Sequence, residues 1–176
     1  MDHNWDTNKL RGSDLTRAIV ALHLVAYYSQ TMEEGYVPFQ PTNHWCLFLE
    51  FGNGKSVRLE VVPGSGSDGL RAQVRLTSRA HPCTSNYAHK VTYDLNSGVC
   101  LEDLVQICQT KGRQRYEFAE GWEGCRYWNY VFIKDLESSS ILPRGATDQA
   151  RDAMSYFYHS VYGVQRRSMK KGTFRV

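Results

Sequence analysis

Apolar residues recur along this chain in two rhythms. From residue 16 to 95 they alternate with polar ones or run in short blocks; from 101 to 161 they return every three or four positions. A period near two marks half-buried strands, and one near 3.6 marks amphipathic helices. TRAIVALHLVAYY (16–28) is an apolar block whose periodicity fits a buried strand or a short helix. Residues 29–43, with Gly35, Pro38 and Pro41, read as a loop. HWCLFLEF (44–51) and SVRLEVV (56–62) flank Gly52-Asn53-Gly54-Lys55 and predict a β-hairpin with a two-residue type I′ turn. That turn would set Phe51 opposite Ser56. Alternation over 70–77 and 87–95 predicts two more strands, joined through 80–86.

The helical rhythm begins at Leu101, with Leu104, Val105 and Cys108 on one face and Gly112 as the stop. A second helix is expected from about Gly124 to Ser138, with Trp128, Phe132 and Leu136 a turn apart. A third follows Thr147 as its N-cap, with Ala150, Met154, Phe157 and Val161 as its stripe. The expected fold class is α+β: an antiparallel sheet of four or five strands with helices packed on it. Residues 1–15 read as a flexible arm, 16–163 as a single domain and 164–176 as a basic tail.

Composition narrows the function classes. At 176 residues, 41% hydrophobic and 22% charged, the chain has a core to bury and matches no disordered or collagenous profile. Net charge is only +3, which gives no case for nucleic-acid binding. That charge is uneven: residues 166–176 carry five basic side chains and no acidic one, which suits an anionic partner. The longest apolar stretch, Ala18 to Tyr28, is too short to span a membrane. A polar N-terminus and scattered thiols point to a cytoplasmic protein with five free cysteines.

Cys125 opens the second helix, where the helix dipole and unpaired N–H groups favour a thiolate and suit an oxyanion. His44, opening the first hairpin strand, is the candidate base. The alternative for Cys125 is a small buried hydrophobe. A histidine that starts a strand, followed by a hairpin and then a cysteine that starts a helix, resembles the circularly permuted papain-like superfamily. Its members include lecithin:retinol acyltransferase-like and PPPDE-like proteins. Asn43-His44-Trp45 matches the strand motif, and Gly124-Cys125-Arg126-Tyr127-Trp128 matches the helix motif except for Gly124, where the pattern has Asn. The closest likeness is to small proteins of filamentous fungi with an Asn-His-Trp strand and a Gly-Cys-Arg-aromatic-Trp helix start. The resemblance implies a permuted papain-like fold and a Cys125–His44 dyad.

In the two-residue-turn register, His44 shares its sheet face with Cys46, Phe48, Val57, Leu59 and Val61, and the cysteine helix should cover that face. No polar orienter for His44 then lies on the adjoining strand. A three-residue turn would bring Glu60 round to His44; Gln73 and His89 are the other candidates. His44-Trp-Cys46 and His81-Pro-Cys83 lack the spacing of a zinc site, so neither metal nor cofactor is expected. Trp45, Trp122, Tyr127 and Trp128 are candidates to line a pocket for a small molecule, with core packing as the competing reading. The leading expectation is a cysteine-nucleophile enzyme for acyl transfer, amide or ester hydrolysis or ring closure on a small molecule or peptide. The alternatives are a non-catalytic binding module on the same fold and a cyclase or isomerase using an aromatic pocket.

Overall fold

The computed structural model describes residues 2–28, 42–65, 67–95 and 98–175; most of the loop expected over 29–43 lies outside them. The strands are β1 (Trp5–Lys9), β2 (Ile19–Ala26), β3 (Trp45–Phe51), β4 (Ser56–Pro63), β5 (Ala72–Arg79) and β6 (His89–Asp94). They form one sheet in the order β1-β5-β4-β3-β2-β6. Every pairing is antiparallel except β1 with β5. Helices α1 (Leu101–Thr110), α2 (Cys125–Ser138) and α3 (Ala146–Met154) follow, with β7 (Tyr116–Glu117) between the first two. The chain ends in β8 (Tyr156–His159), β9 (Gly163–Arg166) and β10 (Thr173–Phe174).

The sheet has six strands rather than four or five because residues 1–15 are not a loose arm. Trp5 is buried in the core, and Asp6 holds Arg75 of β5 at 2.8 Å, which docks β1 on the sheet edge. The block at 16–28 resolves as β2. It lies between β3 and β6, where Leu22, Leu24 and Ala26 are fully buried.

The hairpin forms, but with the longer turn. Phe51 N–H donates to Lys55 O and Gly54 N–H to Phe51 O, with Gly54 at φ 72°. This three-residue loop uses a left-handed glycine, as such loops commonly do. Glu50 therefore pairs with Ser56, and Leu49 with Val57. A one-residue slip moves every side chain of a strand to its other face. Val57, Leu59 and Val61 join Trp45, Leu47 and Leu49 under the helices, against Trp128, Phe132 and Leu104. Arg58 and Glu60 turn to the opposite, outer face, beside the small cluster of Val25, Cys46 and Phe48. The expectation that the helices cover the His44–Cys46–Phe48 face is thereby reversed.

Two further boundaries differ from expectation. The third helix stops at Met154, because Tyr156–His159 pairs with Gly163–Arg166 as a hairpin. Phe157 is buried from a strand, and Val161 stands in solvent. Thr147 is not the cap: the Glu137 carboxylate at the end of α2 accepts from the N–H groups of both Gly145 and Thr147. The basic tail also returns to the body. Phe174 packs on Tyr116, Lys170 pairs with Glu123 at 3.0 Å, and buried Arg126 donates to the carbonyls of Arg167 and Ser168. No helix is long and apolar enough to cross a membrane.

Candidate active site

Helix α2 begins where strand β3 begins, and this junction brings the two candidates together. Cys125 is the first residue of α2, and His44 immediately precedes β3. The imidazole and the thiol are close enough to interact, and the thiol itself is directed at the Asn43 carbonyl, 3.9 Å away. His44 Nε2 lies 2.9 Å from Glu60 Oε2, so Nδ1 is the ring nitrogen left for the sulfur. An ionised carboxylate only accepts, which makes Nε2–H the donor. Arg58 Nη2 meets the other Glu60 oxygen at 2.7 Å, and its guanidinium lies beside Tyr27. The Tyr27 ring stacks at 6.4 Å on His44. The line thus runs Tyr27, Arg58, Glu60, His44, Cys125, from the outer sheet face round the end of β3.

His44, Cys125 and Glu60 are each biased toward the charged form. Burial opposes the charge on His44, but the interactions with Cys125 and Glu60 outweigh it and hold the imidazole at about 10. For Cys125, burial alone would raise the thiol. The His44 imidazolium, the Trp45 N–H and the Arg126 guanidinium overcome it and bring the thiol below its ordinary value. Burial likewise favours a neutral Glu60, while His44 and Arg58 keep its carboxyl below the usual range. A thiolate–imidazolium pair is the state these surroundings favour.

Two buried asparagines hold the junction in register. Asn43 Nδ2 donates to the carbonyls of Tyr27 and Tyr158, both at 2.9 Å, and its Oδ1 accepts the Tyr158 N–H at 2.8 Å. Asn129 Nδ2, one turn along α2, donates to Cys125 O at 2.8 Å and Trp45 O at 3.1 Å. Neither was singled out for this role from the sequence. Asn129 lies four residues after Cys125 on the same helix face, and that spacing was the available signal. Asn43→Ala removes partners from two carbonyls and one N–H, and is expected to cost about 2 kcal/mol in urea unfolding.

Gly124 departs from the papain-like motif for a local reason. Its φ is 139°, and a Cβ there would lie 2.5 Å from the Tyr116 hydroxyl. That hydroxyl donates to Gly124 O at 3.0 Å and accepts the Gly172 N–H at 2.9 Å, tying helix start and tail together.

The other candidates lie elsewhere. Gln73 reaches the carbonyl of His3, and His89 stacks on Tyr158 at 4.4 Å; neither meets His44. Trp45 and Trp128 are fully buried core residues and present no face to a ligand, which corrects their assignment to a pocket. Trp122 is exposed, with its indole N–H on Asp68 O, and Tyr127 lies against Phe174. The open space at the site is a cleft of about 350 Å³ between Tyr27, Tyr28, His44, Arg58 and Asn86. Among the described residues, no group of three or more His, Cys, Asp or Glu could hold a metal ion. All five cysteines are free.

Fold and site together define an α+β domain with a cysteine beside a histidine that is hydrogen-bonded to a carboxylate, at the meeting of a helix start and a strand start. The profile of the family described as "Domain of unknown function (DUF7770)" matches residues 22–175, and the chain belongs to that family. No curated protein and no solved structure matches the chain.

Proposed function

We propose that the domain is a cysteine-nucleophile enzyme of permuted papain-like architecture, acting on an acyl carbon. The observation that carries this reading is the continuous Glu60–His44–Cys125 line. The order of the elements, a histidine strand before a cysteine helix, supports it too. The Cys125 thiolate attacks the carbonyl carbon, and the N–H groups of the first turn of α2 face the developing oxyanion. His44 Nδ1–H protonates the leaving group, giving a thioester on Cys125. The neutral imidazole then deprotonates water or an acceptor nucleophile, which releases the product. Glu60 is a positioning residue: it fixes the ring and favours its charged form, and Arg58 fixes Glu60.

The same first step serves amide or ester hydrolysis, acyl transfer and ring closure. A non-catalytic module on this fold would have no use for a biased thiol, whereas the aromatic-pocket reading loses half its lining to the core.

The test is competitive alkylation. Substoichiometric iodoacetamide at pH 6, followed by peptide mass mapping, is expected to label Cys125 ahead of the partly exposed Cys83 and Cys100. Labelling of Cys125 no faster than those two would remove the nucleophile. Incubation with an activated aryl acetate should leave one acetyl group on Cys125 and none on Cys125→Ala. Glu60→Gln keeps the side-chain size, loses the charge, and is expected to slow the Cys125 reaction about tenfold at pH 6. If a substrate is turned over, the alkaline limb of kcat should fall near pH 10. There His44 loses the proton that the leaving group requires.

A further inference from the structure

The outer face of the sheet carries a second cleft, of about 260 Å³, that the proposed chemistry does not use. It opens between β1, β5 and β4. Lys9, Arg58, Arg75 and Arg79 line it with Asn8 and Thr77, and Asp6 is the one lining carboxylate among the described residues. The grouping follows from register: Arg58 pairs with Thr77, Ser56 with Arg79 and Lys9 with Thr77, so alternate residues of β4 and β5 project to this side. A strand face lined by cations is unfavourable unless something offsets their mutual repulsion. The partners present offset only part of it. Asp6 is taken by Arg75 at 2.8 Å, and Glu60 by Arg58 and His44. The Nε–H groups of both Arg58 and Arg79 are buried without an acceptor among the described residues. Buried donors of that kind lack the hydrogen bonds that such groups normally make.

Arg58 lines this cleft and the His44 cleft alike. From Glu60, which holds His44, to Ser56, which faces Arg79, β4 runs four residues, or about 13 Å. A small molecule spans that distance. We infer that the cleft of Lys9, Arg58, Arg75 and Arg79 is an anion-binding subsite that receives a phosphate or carboxylate group of the ligand whose other end reaches His44 and Cys125. The clause about the reactive end rests on the proposed function; the anion subsite does not. Arginine suits the task because its planar fork meets two oxygens of either group.

The test is binding in the absence of turnover. Inorganic phosphate, pyrophosphate and, separately, succinate are titrated into the full chain at low ionic strength, followed by ¹⁵N–¹H shifts and calorimetry. Saturable binding is expected, with shifts at Lys9, Arg75, Thr77 and Arg79, and affinity is expected to drop at least tenfold in Arg79→Gln. Lys9→Gln, on the sheet edge, is the second variant should Arg79→Gln fold poorly, and is expected to weaken binding severalfold. A stronger response to phosphates than to succinate identifies phosphate as the group, and the reverse identifies carboxylate. Absence of saturable binding for all three anions, or equal binding by both variants, overturns the subsite. Cys125→Ala should bind like the unmodified chain. The subsite can therefore fail while Cys125 keeps its selective alkylation, and the converse holds as well.

Discussion

His44→Ala is expected to slow alkylation of Cys125 by roughly 10- to 100-fold at pH 6, and to leave the rate above pH 9 nearly unchanged. An unperturbed thiol with a pKa of about 8.5 is less than about 1% thiolate at pH 6. In the intact site the thiol is held below its ordinary value by His44, the Trp45 N–H and Arg126, against the opposing effect of burial. The sign follows directly. A lowered thiol pKa keeps the nucleophile present as pH falls, and removing the imidazolium returns the profile to higher pH. A low-pKa thiolate is intrinsically less nucleophilic, which trims the difference to the stated range. Stopped-flow iodoacetamide kinetics from pH 5 to 10 measure it. Overlapping wild-type and variant profiles would show that His44 does not act on the sulfur. His44 projects to the rim of an open cleft, so the fold should survive the change, and far-UV circular dichroism checks that it does.

The second large effect is structural. Gly124→Asn, which introduces the residue that the papain-like motif has there, is expected to destabilise the domain by about 3 kcal/mol or more. Part is backbone strain: a φ of 139° is a conformation that L side chains rarely adopt, and such strain costs of order 1–3 kcal/mol. Part is overpacking against the Tyr116 hydroxyl, worth a further 1–3 kcal/mol or so. Tyr116 cannot simply retreat, since its ring lies against Phe118 and Phe174 and its hydroxyl holds Gly172. Urea unfolding measures the loss. Gly124→Ala separates the two contributions from any asparagine-specific bond, and is expected to lose nearly as much. A neutral Gly124→Asn would mean that the helix start adopts a different geometry. Such a change should also alter Cys125 reactivity, because Cys125 is the next residue.

Much of this domain was legible before any coordinates. The residues that open β3 and α2 announced themselves by type and position: His44 ahead of an apolar strand, Cys125 at the head of an amphipathic helix. Alternation showed the hairpin and the strands that follow it, and the four-residue spacing of Trp128, Phe132 and Leu136 showed α2. Glu60 stood among three possible orienters and was tied to one structural condition, the length of a turn. Gly52-Asn53-Gly54 is compatible with a two- or a three-residue loop, and local propensity does not separate them. Burial does. The three-residue loop puts Val57, Leu59 and Val61 under the helices and leaves Arg58 and Glu60 on the outer face. The alternative would bury both charges in the helix-covered core at a prohibitive cost in desolvation.

The misplaced segments share a cause. Trp5–Lys9, Phe157 and the 164–176 tail are short stretches whose conformation is set by what they dock on. Trp5 has a core site to fill, and Phe174 has the Tyr116 and Tyr127 rings. A single apolar residue in a polar context carries no periodicity, so nothing local marks it as anchored. The basic tail carries no local sign of its docking for the same reason. Some of its contacts are made by backbone carbonyls that receive the Arg126 guanidinium, and composition does not show them.

By itself, then, the sequence determined the hairpin strands, the two strands after it, the first two helices, the α+β class and the two residues at the candidate site. These follow from the period of burial and from short-range chemistry, which any segment carries within itself. The tertiary structure decided the hairpin register, hence Glu60 beside His44, and the outer face on which Arg58, Arg75 and Arg79 converge. It also decided why glycine precedes Cys125 and how both ends of the chain are fastened. Those outcomes depend on which side of a strand meets the helices and on contacts between residues far apart in the chain. A one-residue shift leaves the local pattern nearly as good and reverses every face.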